Sequence, residues 1–132
     1  MSSAAILIDE AEGPEPTRPT VKEKWQGAVT DFSGFAAIPV ILLKAQARLG
    51  LTATDMVVLS NLLAHWWEPD RAVFPRSSII AQRMGVTERT VHRSLDKMVR
   101  ARLIERRRQD GRRTFQFTPL AERLARMLGA EG

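Results

Sequence analysis

From residue 39 onward the apolar positions fall mostly three and four apart, the spacing of one helix face, until extended segments replace them after residue 101. Phe32–Ile38 reads as an extended entry segment. Pro39 suits a first helical position, where its missing N–H would be unpaired anyway. The helix it opens runs to about Leu49, with Gly50 as a left-handed stop. Thr52-Ala53-Thr54-Asp55 has the form of a capping box. Met56, Leu59, Leu62, Leu63 and Trp66 then recur at helical spacing, and Val57, Val58 and Trp67 widen the stripe. Such a face suits a helix buried on most sides, or one that uses a second face to dimerise. Pro69 ends this helix at Glu68.

A short helix starting at Ser77 or Ser78 follows, with Ile79, Ile80, Ala81 and Met84 inward. Gly85 turns the chain, Val86 packs beneath the turn, and Thr87 caps the next helix. There Val91, Leu95, Met98 and Val99 form one stripe. The opposite face carries Arg89, Arg93, Asp96, Lys97 and Arg100, flanked by Thr90 and His92. Beyond Ala101 the period changes. Leu103–Arg108 and Arg112–Phe117 flank Asp110-Gly111, a two-residue hairpin signal. Pairing across it sets Ile104 opposite Phe117 and Arg106 opposite Phe115. Thr118-Pro119 reads as a cap and first-turn proline for a last amphipathic helix bearing Leu120, Leu124, Met127 and Leu128. That helix is too short to stand alone and needs its own domain or a second copy to pack on. The pattern defines a mainly α fold with a small β-hairpin.

The organisation expected is a tail over 1–31, a folded domain over 32–118 and a C-terminal helix over 119–132. The tail is acidic, with Pro14, Pro16 and Pro19, and is expected to lack packed structure. Trp25 is its exception and reads as a docking residue. The 132 residues hold 20 Lys and Arg against 15 Asp and Glu, for a net charge of +5. That charge is unevenly spread. Residues 1–31 carry three basic and six acidic side chains, whereas 76–113 carry twelve basic and four acidic. A field this concentrated points to an anionic partner. No apolar run is long enough to span a bilayer, and the N-terminal apolar stretch is too short for a signal peptide. A cytoplasmic protein without a membrane partner is expected.

The chain has no Cys and only two His, His65 and His92, which removes disulfide frameworks, thiol catalysis and cysteine metal sites. His65 beside Trp66-Trp67 reads as a helix-end packing residue. The sequence contains no phosphate loop, no Gly-x-Ser-x-Gly elbow and no His-Glu-x-x-His run. No enzyme, metal or cofactor is expected, and no small-molecule effector is identifiable.

The stretch Ile80-Ala81-Gln82-Arg83-Met84-Gly85-Val86-Thr87-Glu88-Arg89-Thr90-Val91 resembles the pattern Leu-Ala, two variable residues, a large apolar residue, Gly, Val, Ser/Thr, two variable residues, Thr-Val. Leu95-Asp96-Lys97-Met98-Val99-Arg100-Ala101-Arg102-Leu103-Ile104 is similar to Leu-x-x-Leu-x-x-x-Gly-Leu-Ile. Together they resemble the winged helix-turn-helix domains of phage and plasmid proteins, including replication initiators, and more distantly MarR-type regulators. The match spans roughly 38–120. Arg76 stands where the family often has Ser, shifting the cap to Ser77 or Ser78, and Arg102 replaces the usual Gly.

The resemblance implies sequence-specific binding of double-stranded DNA. A transcriptional regulator is the main reading. A plasmid or phage replication or maintenance factor is the alternative, and a winged-helix protein-interaction module the second alternative. A recognition helix reads base edges near its start, which here are Thr87, Glu88, Arg89, Thr90 and Arg93, with His92 and Lys97 alongside. Arg76, Ser77, Ser78 and Gln82 of the preceding helix are placed to bond phosphates. Arg106, Arg107, Arg108, Arg112 and Arg113 of the wing are placed to straddle the backbone. A homodimer is expected, through either the Met56–Trp67 face or the C-terminal helix.

Overall fold

The computed structural model describes residues 20–66 and 76–131. The expectations for 1–19 and for the break at Glu68-Pro69 lie outside them. The chain divides into two units, Met1–Phe35 and Ala36–Gly132.

In the first unit, residues 20–31 depart from the expected unstructured tail. They belong to two short helices, α1 (Val21–Trp25) and α2 (Gly27–Ser33). The cause is local. Thr20 and Glu23 form a reciprocal capping box, with bonds of 2.7 and 3.2 Å. Lys22 pairs with Asp31 at 3.2 Å, joining the two helices. No residue of α1 is buried, and Trp25 is 62% exposed. Phe32 and Ser33 belong to α2 rather than to the expected extended segment.

The second unit runs α3 (Val40–Ala45), α4 (Ala53–Leu63), α5 (Ser77–Met84), α6 (Glu88–Arg100), β1 (Glu105–Gln109), β2 (Arg112–Gln116) and α7 (Thr118–Glu131). Pro39 is the N-cap of α3 rather than its first residue. Regular helix stops at Ala45, and the chain turns on to Gly50, whose φ of 76° gives the left-handed stop read from sequence. Thr52 and Asp55 cap α4 reciprocally, as expected. That helix ends at Leu63, short of Trp66. His65 N–H and Trp66 N–H donate to carbonyls three residues back, tightening the last turn. The tightened turn brings Trp66 onto Phe117, ring centroids 5.1 Å apart, while His65 is exposed.

One core joins the elements of this unit. Leu42, Val58, Leu59, Leu62, Val91, Met98, Leu103, Ile104, Phe115 and Phe117 are essentially inaccessible. The apolar face of α4 is spent on this core: Met56, Val58, Leu59, Leu62 and Leu63 are buried, and Val57 alone of that run stands exposed. The C-terminal helix does the same. Leu120 and Leu124 are buried and α7 touches α3, so it folds back on its own domain; Leu128 is left 53% exposed. Both surfaces considered for a dimer are thus largely consumed internally.

The hairpin has the expected register, with Arg106 opposite Phe115 and Glu105 opposite Gln116. Asp110 and Gly111 take φ of 53° and 75°, the two left-handed positions of a type I′ turn. Side-chain alternation fails at the base of β2, where Thr114, Phe115 and Gln116 are all buried. The hairpin base is therefore enclosed, while β1 and the tip are exposed throughout.

Candidate nucleic-acid interface

The helix-turn-helix is built by short-range chemistry. Gly85 closes α5 in the left-handed region (φ 70°, ψ 33°), and Val86 N–H returns to the Ala81 carbonyl at 3.0 Å. Thr87 accepts the Thr90 N–H at 3.2 Å and so starts α6. The start of α5 differs from expectation. Arg76 occupies the N-cap without a side-chain cap bond, and Ser77 is the first helical residue. The serines are therefore free of capping duty. Ser77 is half-buried, and Arg76, Ser78 and Gln82 are exposed.

The stripe of α6 is buried as read: Val91, Leu95 and Met98 are in the core and Val99 packs against it. The opposite face presents Glu88, Arg89, His92, Arg93 and Arg100 to solvent. Thr90, half-buried, shares a 3.1 Å hydroxyl contact with Thr87.

Lys97, expected as a DNA contact, is engaged within the fold. Its ammonium is 2.6 Å from the Asp55 carboxylate, which is 3% exposed. Asp55 also accepts from Ser94 Oγ at 2.7 Å and from Thr52 N–H at 2.8 Å. Burial alone would push this carboxyl up. The Lys97 ammonium and the Thr52 and Ser94 donors outweigh it and hold the carboxyl at about 2, below the usual 3.8. One carboxylate thus caps α4 and ties α6 to it, which restrains the rotation of α6. Only the capping half of that role was legible in sequence. An acidic residue next to the buried Met56 is the signal that could have raised the other half; its partners lie about forty positions downstream.

The wing arginines are all exposed, yet their surroundings differ. Arg106 pairs with Asp96 of α6, and its guanidinium lies 5.9 Å from the Phe115 ring centroid. It therefore braces the wing against α6. Arg107 pairs with Glu105 at 2.6 Å, and Arg108 donates to the Gly111 carbonyl at 3.4 Å. Arg113 extends from β2 beside α6. Arg102, standing where the resembled pattern has Gly, adopts φ 59°. The turn into the wing keeps its left-handed form and carries the strain of a side chain there. Among the described residues no cluster of His, Asp and Glu is suited to a metal ion, and no helix is long and apolar enough to cross a membrane.

Two helices joined by a glycine turn, then an antiparallel hairpin braced on the second, define a winged helix-turn-helix domain. The chain belongs to the DnaD N-terminal domain family, whose family model matches residues 38–131. It is also similar to the crystal structure of the N-terminal domain of DnaD protein from Geobacillus kaustophilus HTA426. The TM-score is 0.62 and the identity 24%, over 83% of this chain and 93% of that one. That likeness carries the fold. No curated protein matches the chain. The family is a winged-helix-like replication domain, which agrees with the replication-initiator part of the resemblance and not with its MarR-type or phage-type part.

Proposed function

We propose that the chain is a replication factor that binds double-stranded DNA, with α6 in the major groove and the wing along the backbone. The observation that carries this reading is the outer face of α6. Arg89, Arg93 and Arg100 stand exposed there, without a hydrogen bond or ion pair among the described residues, next to an arginine-rich wing. Cations left unpaired on a helix that fits the ~12 Å major groove suit a duplex better than an acidic protein surface. Family membership favours replication over the transcriptional regulator that the motif alone suggested. In this reading the domain recognises and positions, and catalyses nothing. It acts as a homodimer on DNA, in keeping with two half-sites, through what the core leaves exposed of the two faces, at Val57 of α4 or Leu128 of α7.

The test is a binding titration on duplex DNA at several salt concentrations. With six to ten phosphates engaged, affinity falls about 10³–10⁵-fold between 50 and 200 mM salt. A flat salt response, or no duplex binding at all, would overturn the reading.

A further inference from the structure

Two clefts border the recognition helix. The wing-side cleft is lined by Ser77, His92, Asp96, Arg106 and Arg113, among others. The other, on the α4 side, is lined by Thr54, Asp55, Thr90, Arg93 and Lys97, among others. At 3.6 residues per turn, the α6 residues of the two clefts are centred roughly 160° apart around the helix axis. They therefore occupy opposite flanks, with the exposed Arg89 and Arg100 on the face between.

The charge in each cleft has the same composition. On the wing side the carboxylate of Asp96 is countered by Arg106, leaving Arg113 over. On the α4 side the carboxylate of Asp55 is countered by Lys97, leaving Arg93 over. Arg93 and Arg113 are exposed and make no hydrogen bond or ion pair within the described residues. Each cleft thus offers one surplus positive charge with hydroxyl donors beside it: Ser77 on the wing side, Thr54 and Thr90 on the other. One surplus cation matches one phosphodiester. A helix ~10–12 Å across fills a groove ~12 Å wide, so one sugar–phosphate strand runs along each flank.

We propose that the two clefts are backbone-phosphate seats, one for each DNA strand bordering the groove, with Arg113 and Arg93 as the respective anchoring cations. This rests on the duplex-binding reading above and assigns its flanks. It moves Arg93 from base reading to phosphate holding and leaves Arg89 as the base-facing arginine.

The test uses the full chain and Arg113→Ala and Arg93→Ala variants, whose side chains are exposed, so folding is expected to survive and is verified by circular dichroism. Each variant should lower the log–log salt slope by about 0.9, the release from one phosphate. Binding is then measured on duplexes carrying a single neutral methylphosphonate, scanned along each strand. The Arg113→Ala loss should vanish when one particular phosphate of one strand is already neutral. The Arg93→Ala loss should vanish for a phosphate on the opposite strand. If both losses map to the same strand, or if Arg93→Ala changes base preference with no neutralised phosphate masking it, the assignment is overturned while duplex binding stands. Absence of wild-type binding to any duplex would overturn the underlying reading itself.

Discussion

Replacing Asp55 with Asn removes a charge while preserving the shape of the cap. Asn can still accept the Thr52 N–H, so the variant isolates the electrostatic tie between α4 and α6. The folded carboxyl sits at about 2 against 3.8 for the free side chain. By linkage that difference stabilises the folded state by about 2 kcal/mol at pH 7. The Lys97 side chain is 42% exposed, so its ammonium stays hydrated once the partner is neutral. The loss should accordingly fall short of the roughly 3–5 kcal/mol of a fully buried pair. For a domain of this size it corresponds to a melting temperature lower by roughly 8–16 °C. The sign of the pH dependence is fixed by the depressed folded value. The stabilisation is complete above about pH 4–5 and is lost as pH falls through 3.8 toward 2. Urea unfolding of wild type and Asp55→Asn at matched pH measures the gap directly, because the other carboxylates titrate in both proteins. The gap should be about 2 kcal/mol at pH 7, about 1 at pH 3 and smaller still at pH 2.5. A gap that is absent at pH 7, or equally large at pH 2.5, would refute the role of the charge.

Arg89→Ala should relax base preference by about 1–3 kcal/mol on a selected site, whereas Arg107→Ala should weaken selected and scrambled duplexes alike; competition binding with both duplexes separates the two. Arg102→Gly should raise stability by about 0.5–1 kcal/mol, the left-handed strain relieved less the entropy added to the unfolded chain; an unchanged or lower denaturation midpoint would contradict the strain at φ 59°. Leu124→Ala should cost about 2–5 kcal/mol, because α7 belongs to the core of its own domain; a loss below 1 kcal/mol would mean that the helix is dispensable. Light scattering should give twice the 14.8 kDa chain mass at high micromolar concentration. A monomer throughout, with non-cooperative binding to a palindromic site, counts against the dimer.

Much of the site was legible in the sequence because short-range chemistry sets it. The Thr52 and Thr87 caps, the left-handed Gly85 and the Asp110-Gly111 turn each act within about four residues, where residue type and spacing suffice. The hairpin register followed from the turn alone, since two strands joined by two residues have one pairing that closes. Three-residue spacing likewise showed which side of α6 is buried and which bears arginine.

Tertiary structure decided how each charged or apolar side chain is used. Lys97 and Arg93 share one face in sequence, yet Lys97 is drawn to a carboxylate 42 positions away while Arg93 is not. Arg106 and Arg113 lie in one basic hairpin, and only the first is paired with α6. The α4 stripe continued on paper to Trp67, but the helix stops at Leu63, where a tightened turn lets Trp66 reach Phe117. The Leu120–Leu124 face lacked a visible partner until α7 was seen against α3. In the tail, proline content masked a local capping box that winds α1. Spacing along a chain fixes which side chains share a face. Which distant group meets that face depends on how the elements pack, and that determines whether an arginine is a strut of the fold or a charge left exposed to solvent.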